Sequence, residues 1–122
     1  MAVCNGLGAI LLANVITDID NGGTYTAVGT GITPASATDT TLQTEVARTA
    51  RQDHSTTSSS VTISGYVTAT QANGNTITEV GVLTAAIAGT LYNHDIHTAI
   101  IKTSAIEIWY DLTFNVAITL NT

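Results

Sequence analysis

The sequence predicts an all-β domain, an antiparallel β-sandwich of the jelly-roll-like kind with one short N-terminal helix. Three features support this prediction: apolar and polar residues alternate over long runs, 24 of the 122 residues are threonine, and turn-forming residues recur throughout. Threonine is β-branched and therefore suits a pleated, half-buried sheet. Turns about every ten residues divide the chain into six or seven strands, which is typical of sandwiches and barrels.

The longest alternating run covers residues 105–120 and predicts a strand with one buried face and one mostly polar face. At roughly 3.3 Å per residue it would extend about 50 Å, far more than an ordinary strand. We therefore expect it to bend between two sheets or to continue along one edge into a neighbouring subunit. The apolar face holds Ile106, Ile108, Tyr110, Leu112, Phe114, Val116, Ile118 and Leu120, and the other face holds Glu107, Trp109, Asp111, Thr113, Asn115, Ala117 and Thr119.

Residues 5–17 are the one stretch that favours a helix. Asn5 suits the N-cap position, and the apolar residues that follow fall near a single helical face. Two glycines lower the helix propensity, so a buried strand is the alternative interpretation. Residues 18–23 predict a turn, because Asn-Gly and Gly-Gly accept positive φ readily.

The chain is predicted to form a single domain that spans residues 1–122. After the helix, strands and loops are predicted from about residue 24 to about residue 121. The Asn73-Gly74 pair is a strong hairpin signal, so we expect the strands on either side of it to pair with each other. Residues 42–52 suit either one helical turn or a strand, and we expect a turn that enters a strand near Glu45. The other predicted elements are a strand at 25–31, a loop at 33–41, a loop or frayed strand start at 53–60, a strand at 61–70, the hairpin turn at 71–75, a strand at 76–83 with a β-bulge near Glu79, and a strand at 90–101.

Charge and composition exclude several classes of function. The net charge is −6 and only Arg48, Arg51 and Lys102 are basic, so neither a nucleic acid nor an anionic membrane is an expected partner. The single cysteine, Cys4, allows no internal disulfide, which fits assembly in a reducing cytoplasm. The apolar run at residues 6–17 is too short to span a bilayer and lacks the basic start of a signal peptide.

No constellation in the sequence predicts a catalytic residue, a cofactor or a metal. His94, Asp95 and His97 are the best candidate ligands, but the two histidines point to opposite faces of a strand, and His54 would have to join them from a distant loop. No Gly-x-Ser-x-Gly elbow supports a catalytic serine. The glycines at 29 and 31 lack the lysine of a phosphate loop and indicate turn chemistry instead.

The residues with the best claim to a partner interface are aromatic and lie on the polar faces of predicted strands. Tyr66 and Trp109 both point away from their strand's apolar face, and exposed aromatic residues often anchor interfaces. Their other interpretation is burial under a second sheet or under the helix. Glu107 and Asp111 flank Trp109 and resemble a sugar-binding strip, with a solvated strand face as the default. The predicted interface comprises Tyr66, Glu107, Trp109, Asp111 and Thr113.

Five motifs follow one another along nearly the whole chain. They are Asn-Gly-Leu-Gly-Ala-Ile-Leu-Leu from residue 5, Tyr-Thr-Ala-Val-Gly-Thr-Gly from residue 25, Leu-Gln-Thr-Glu-Val-Ala-Arg from residue 42, Asn-Gly-Asn-Thr-Ile-Thr-Glu-Val-Gly-Val-Leu from residue 73, and Lys-Thr-Ser from residue 102 before the last strand. In this order they resemble a family of small structural proteins of tailed bacteriophages. The Ile-Thr-Glu-Val-Gly block is the most specific part of the resemblance.

The resemblance implies a non-enzymatic virion component, assembled in the host cytoplasm, with no catalytic residues to carry over. The first expectation is a capsid decoration (cement) protein that binds the major capsid protein on the capsid surface, as a dimer or trimer, and stabilises capsomer junctions. The alternative is a tail, neck or fibre-adaptor protein. A third hypothesis, from a different class, is a carbohydrate-binding module that uses Trp109 with Glu107 and Asp111.

Overall fold

The computed structural model of the chain describes residues 6–116, with side chains from residue 14 onward. In this part of the chain one helix precedes seven strands, in agreement with the predicted number of strands. The elements are α1 Gly6–Gly22, β1 Tyr25–Gly29, β2 Glu45–Ala50, β3 Asp53–Thr56, β4 Ser60–Val67, β5 Thr76–Leu83, β6 Leu91–Ile101 and β7 Ile108–Asn115.

The strands form two antiparallel sheets that pack face to face. The four-stranded sheet has the order β2-β1-β5-β6, and the three-stranded sheet has the order β3-β4-β7. The predicted all-β sandwich with one short helix is therefore confirmed. Apolar side chains from both sheets meet in one core, to which α1 contributes Ile16. The buried core residues are Ile16, Val28, Val61, Ile63, Val67, Ile77, Val80, Val82, Ile108 and Leu112.

The alternation predicted for the last strand is confirmed over β7. Ile108 and Leu112 are buried, Tyr110 and Phe114 are half-buried, and the residues between them are exposed. The strand itself is shorter than predicted, because pairing with β4 begins at Ile108 and ends at Asn115. The predicted continuation over residues 117–120 lies outside the described residues.

The helix is longer than the sequence predicted. It continues to Gly22, so most of the turn predicted at residues 18–23 is helical. Two contacts explain the extension: Ile19 packs against the core, and the Arg51 guanidinium donates hydrogen bonds to the carbonyl oxygens of Asp20 and Gly23. A cation at this end also suits the helix dipole. The predicted N-cap, Asn5, lies outside the described residues, and no helix within residues 6–116 is long and apolar enough to cross a membrane.

The predicted hairpin between β4 and β5 is wrong. The two strands belong to different sheets: β4 pairs with β3 and β7, whereas β5 pairs with β1 and β6. The Asn73-Gly74 segment does form a tight turn, in which Asn75 donates to the carbonyl of Ala72 and Gly74 has a φ of 84°. This turn carries the chain from one sheet to the other. A local turn signal specifies the bend but not the pairing partner.

Strand β3 was predicted as a loop or a frayed strand start. It forms a separate short strand that pairs with β4 from Asp53 opposite Ser64 to Thr56 opposite Val61. All four of its side chains are exposed, so no hydrophobic periodicity marks it in the sequence. Main-chain hydrogen bonding to β4 alone makes it a strand. The predicted entry into a strand at Glu45 is confirmed, as is a register shift in β5 next to Glu79.

Residues 30–44 form a long connection that crosses the four-stranded sheet on the side away from the main core, and we call it the strap. Its centre matches the loop predicted at residues 33–41. Leu42 is buried and packs with Ala27, Leu83 and Leu91, which all belong to this sheet. The strap therefore shields apolar residues on the side of the sheet that faces away from the main core.

A buried lysine fastens the turn between the sheets. Lys102 is 0% exposed, and its Nζ donates to the side-chain oxygen of Asn73 at 2.8 Å and to the carbonyl of Thr103 at 2.9 Å. Its backbone also bonds in both directions to the turn, through the amide of Gly74 and the carbonyl of Asn75. The ammonium group thus satisfies several acceptors where the β4–β5 connection meets the end of β6.

Lys102→Met is expected to destabilise the domain by about 1–3 kcal/mol, because the acceptors around Nζ lose their donor. Methionine keeps most of the aliphatic stem, so the loss reports mainly on the hydrogen bonds. Urea unfolding of the two proteins measures the difference. Asn73→Ala removes one acceptor of the ammonium and the Asn73 amide's bond to the Ala69 carbonyl but leaves the ammonium in place; it is the control and is expected to cost less. Equal stability of Lys102→Met and the unsubstituted protein would contradict the role assigned to the ammonium.

Candidate functional site

The outer face of the three-stranded sheet carries the predicted interface residues. Strands β4 and β7 pair in continuous register, so that Tyr66 lies opposite Trp109, Ser64 opposite Asp111, and Thr62 opposite Thr113. Alternation places these side chains on the side of the sheet that faces away from the core. We call this surface the outer face. It is rich in hydroxyl groups, which belong to Thr62, Ser64 and Thr113.

Tyr66 and Trp109 stack on each other at one end of the outer face. Their ring centroids lie 4.0 Å apart with an interplanar angle of 18°. Trp109 is 64% exposed, and Tyr66 is half-buried by the contact. Neither the helix nor the second sheet covers Trp109, so the interpretation that places it in the core is wrong. The stack holds a large apolar surface rigidly toward solvent.

The polar residues of the outer face bond to one another across the two strands. The hydroxyl of Ser64 donates to Asp111 at 2.7 Å, and the hydroxyls of Thr62 and Thr113 lie 3.0 Å apart. The Glu107 carboxylate raises the pKa of the Tyr66 hydroxyl, because it accepts a hydrogen bond from the protonated phenol. The structure therefore brings the five predicted residues together on one face. Their role in binding a partner stays a prediction.

The candidate metal ligands are engaged in separate contacts. His94 lies between two carboxylates, whereas the Nε2 of His97 bonds to the Tyr110 hydroxyl at 2.8 Å. His54 bonds to Asp20 at the end of α1. Within residues 6–116 no group of three or more His, Cys, Asp or Glu side chains is arranged to hold a metal ion.

A buried charged cluster was not predicted from the sequence. Glu79, on β5, is 0% exposed and accepts hydrogen bonds from the backbone amides of Gly31, Gln43 and Thr44 at 2.7–2.8 Å. Its fourth donor is the Nε2 of His94 at 2.8 Å. The carboxylate thereby holds both ends of the strap against the sheet.

Both ring nitrogens of His94 face carboxylates. Nδ1 lies 2.7 Å from Asp39 of the strap, and Nε2 lies 2.8 Å from Glu79. A neutral imidazole has one N–H, so it would direct a lone pair at one of the two carboxylates. Burial by itself lowers the pKa of His94, but the hydrogen bonds to Asp39 and Glu79 outweigh it and raise that pKa. The cluster therefore favours the imidazolium.

The pKa values of the two carboxylates, Glu79 and Asp39, are shifted downward, whereas that of His94 is shifted upward. Burial by itself raises the pKa of Glu79, yet the backbone amides and His94 together lower it below its ordinary value. The amide of Ser36 and the imidazole of His94 lower the pKa of Asp39. Glu79 and His94 find their hydrogen-bond partners within the cluster, and these bonds hold the strap against the sheet.

Two features of the sequence could have indicated this cluster, although neither was interpreted in that way. Glu79 is the single charged residue in a strand whose other residues are mostly apolar, and such a residue needs internal partners when it is buried. The glycines at 29 and 31 are the second signal: a Cβ at either position would lie 2.5 Å from a Glu79 carboxylate oxygen. These glycines make room for the carboxylate.

No protein-family model matches this chain, and no curated protein is significantly similar to it in sequence.

Proposed function

We propose that this chain is a non-enzymatic structural protein of a phage virion. It acts as a capsid decoration protein that binds the major capsid protein on the outer surface of the shell and stabilises the junctions between capsomers. The observation that carries the proposal is the exposed Tyr66–Trp109 stack on a hydroxyl-rich sheet face. The resemblance of the motif order to small phage structural proteins supplies the identity of the partner.

The energetics of the outer face suit a contact that is repeated many times. An aromatic side chain buries about 150–250 Å², which at about 25 cal/mol per Å² contributes roughly 4–6 kcal/mol before association costs. Association costs remove much of that gain, so one copy binds weakly. A symmetric dimer or trimer that engages several capsomers together binds far more tightly through multivalency.

The carbohydrate-binding alternative has weaker support from the same geometry. Sugar recognition needs carboxylates that are free to accept hydrogen bonds from ligand hydroxyl groups. One carboxylate oxygen of Asp111 already accepts from the Ser64 hydroxyl, which reduces its capacity to accept from a ligand. One face of the Trp109 ring is also covered by Tyr66. A protein partner that packs over the stack and the threonines fits these contacts better.

Copy number distinguishes the capsid from the tail. We expect quantitative mass spectrometry of purified virions to find this chain in hundreds of copies per particle, in a fixed ratio to the major capsid protein. A handful of copies would place it in the tail, neck or fibre and would overturn the capsid proposal. Absence of the chain from purified particles would overturn the virion assignment altogether.

Trp109→Ala is expected to leave folding intact and to weaken binding to capsids at least about tenfold, because the lost side chain is exposed in the free protein. The measurement is rebinding of purified protein to particles that lack it, together with a urea unfolding midpoint for each variant. Ile87→Ala is the control, since Ile87 is an exposed apolar residue outside the outer face. Unchanged capsid binding by Trp109→Ala would contradict the proposal.

A further inference from the structure

Four strands lie at the edges of the two sheets, and three of them carry features that discourage pairing with another chain. Strand β3 has only four residues, β2 carries Arg48 beside a register shift, and β6 has two register shifts against β5. Short length, cations and bulges are the usual means of protecting an edge. These three edges are therefore protected in the free protein.

Strand β7 lacks those features. It pairs with β4 over eight residues in continuous register, and it contains no lysine, arginine or proline. Within the described part of the chain its other edge has no strand partner. A long, regular and unprotected edge exposes a row of free amide and carbonyl groups. Such an edge is suited to accept an additional strand.

A groove next to this edge has room for the side chains of that additional strand. The three-stranded sheet has one strand fewer than the sheet it packs on. A cavity of about 470 Å³ lies between β7 and β6. Val80, Ile100, Ile108 and Leu112 line it with apolar surface. At its rim the hydroxyl of Tyr110 bonds to His97 of β6 at 2.8 Å and ties the two edges together.

The charges around the groove are acidic. Asp95 lines it, Asp111 lies on β7, and Glu107 precedes that strand. Within residues 6–116 none of these three carboxylates forms an ion pair with a basic side chain. Uncompensated carboxylates beside an apolar groove favour an occupant that carries lysine or arginine at its outward positions.

We propose that β7 accepts an extended, basic segment of a different protein as a fourth strand of the three-stranded sheet. Alternate apolar side chains of that segment fill the groove, and its cations lie near Asp95, Glu107 and Asp111. Main-chain hydrogen bonds to the β7 edge supply affinity, and the groove supplies specificity. The length of β7 that lines the groove, residues 108–112, spans about 15 Å and admits two or three inward side chains.

A second copy of this chain is a poor occupant of the groove. The net charge is −6, and the chain has only three basic residues. Arg48 bonds to Glu45 and to carbonyl oxygens, Arg51 caps α1, and Lys102 is buried. None of these cations is available to face the groove of another copy. This inference does not depend on the phage assignment, because it rests on the edge, the groove and the charges alone.

Trp109 provides a direct test, since it is the single tryptophan of the chain and lines the groove. The probes are synthetic peptides of about nine residues that alternate valine or isoleucine with lysine, with threonine or with glutamate. We expect saturable changes in Trp109 emission, with the lysine peptide binding at least about tenfold more tightly than the glutamate peptide. Amide hydrogen exchange should slow in β7 on binding.

Ala99→Phe is expected to weaken binding of the lysine peptide at least about tenfold, because it fills the groove from β6. Ala50→Phe is its matched control at the far end of β2, where the residue is also exposed. Both positions are exposed, so unfolding midpoints should stay close to that of the unsubstituted protein. Absence of peptide binding at millimolar concentration, or equal effects of the two variants, would overturn the proposal. So would a self-associated dimer that Ala99→Phe dissociates.

Discussion

Glu79→Gln is expected to destabilise the domain by about 3 kcal/mol or more, although it barely changes the volume of the side chain. Four donors converge on the two carboxylate oxygens of Glu79: the amides of Gly31, Gln43 and Thr44, and the imidazole of His94. A glutamine offers one oxygen and turns an NH₂ group toward the remaining donors. At least one buried donor is then left without an acceptor.

Urea unfolding measures this loss, and hydrogen exchange locates it. We expect the amides of Gly31, Gln43 and Thr44 to exchange faster in Glu79→Gln, because they lose the carboxylate that holds them. Glu45→Gln is the matched control: Glu45 pairs with Arg48 near the surface, and its replacement should cost less than about 1 kcal/mol. Similar midpoints for the two variants would show that the Glu79 cluster contributes no more than a surface ion pair.

Folding stability is expected to decrease as the pH rises above neutrality. The folded-state pKa of His94 is raised above 6.5, so the folded protein binds this proton more tightly than the unfolded chain. The stabilisation is fully present below pH 6.5 and is lost as the pH rises through the folded-state pKa. One titrating group changes the free energy of unfolding by at most about 1.4 kcal/mol per pH unit.

At acidic pH the dependence is reversed: folding stability is expected to decrease as the pH falls. The folded-state pKa of Glu79 is lowered below 4.5, so its stabilisation is present above pH 4.5 and is lost as the pH falls through the folded-state pKa. Asp39 is shifted in the same direction. The groups that face His94 are Asp39 of the strap and Glu79 of β5, so these three titrate together. Maximum stability is therefore expected between about pH 4.5 and 6.5.

Urea midpoints measured from pH 4 to pH 9 test this profile. We expect His94→Gln to be less stable at pH 6 and to lose the decline on the alkaline side. His54→Gln is the control, because His54 also contacts a carboxylate, Asp20, but lies at the surface. If the alkaline decline disappears in His54→Gln and persists in His94→Gln, the cluster is not its source.

Most of the predicted strands are present in the structure because their signal is local. In β4 and β7 every second residue is apolar, and a strand turns successive side chains to opposite sides, so the pattern specified both the strand and its buried face. The same alternation predicted that Tyr66 and Trp109 each point away from the apolar face of their own strand, and the pairing of β4 with β7 brings them onto one face. Strand β3 escaped prediction because its side chains are all exposed and carry no periodicity.

The pairing of strands required the tertiary structure. Asn73-Gly74 marks a turn, yet it leads into the other sheet, because β5 is buried on both faces and needs β1 and β6 as neighbours. The helix extends beyond its predicted end because Ile19 packs against the core and the Arg51 guanidinium donates a hydrogen bond to the carbonyl oxygen of Asp20 in its last turn. Residues far apart in sequence make these contacts, so no local window contains them.

The sequence by itself determined the composition of each face, the positions of most turns and the all-β class, since these follow from the two-residue period and from local backbone preferences. The tertiary structure alone decided which strands pair, that Glu79 and His94 hold the strap, and that within residues 6–116 one edge of β7 has no strand partner. These features depend on which distant segments lie side by side, because burial and hydrogen bonding are shared between them.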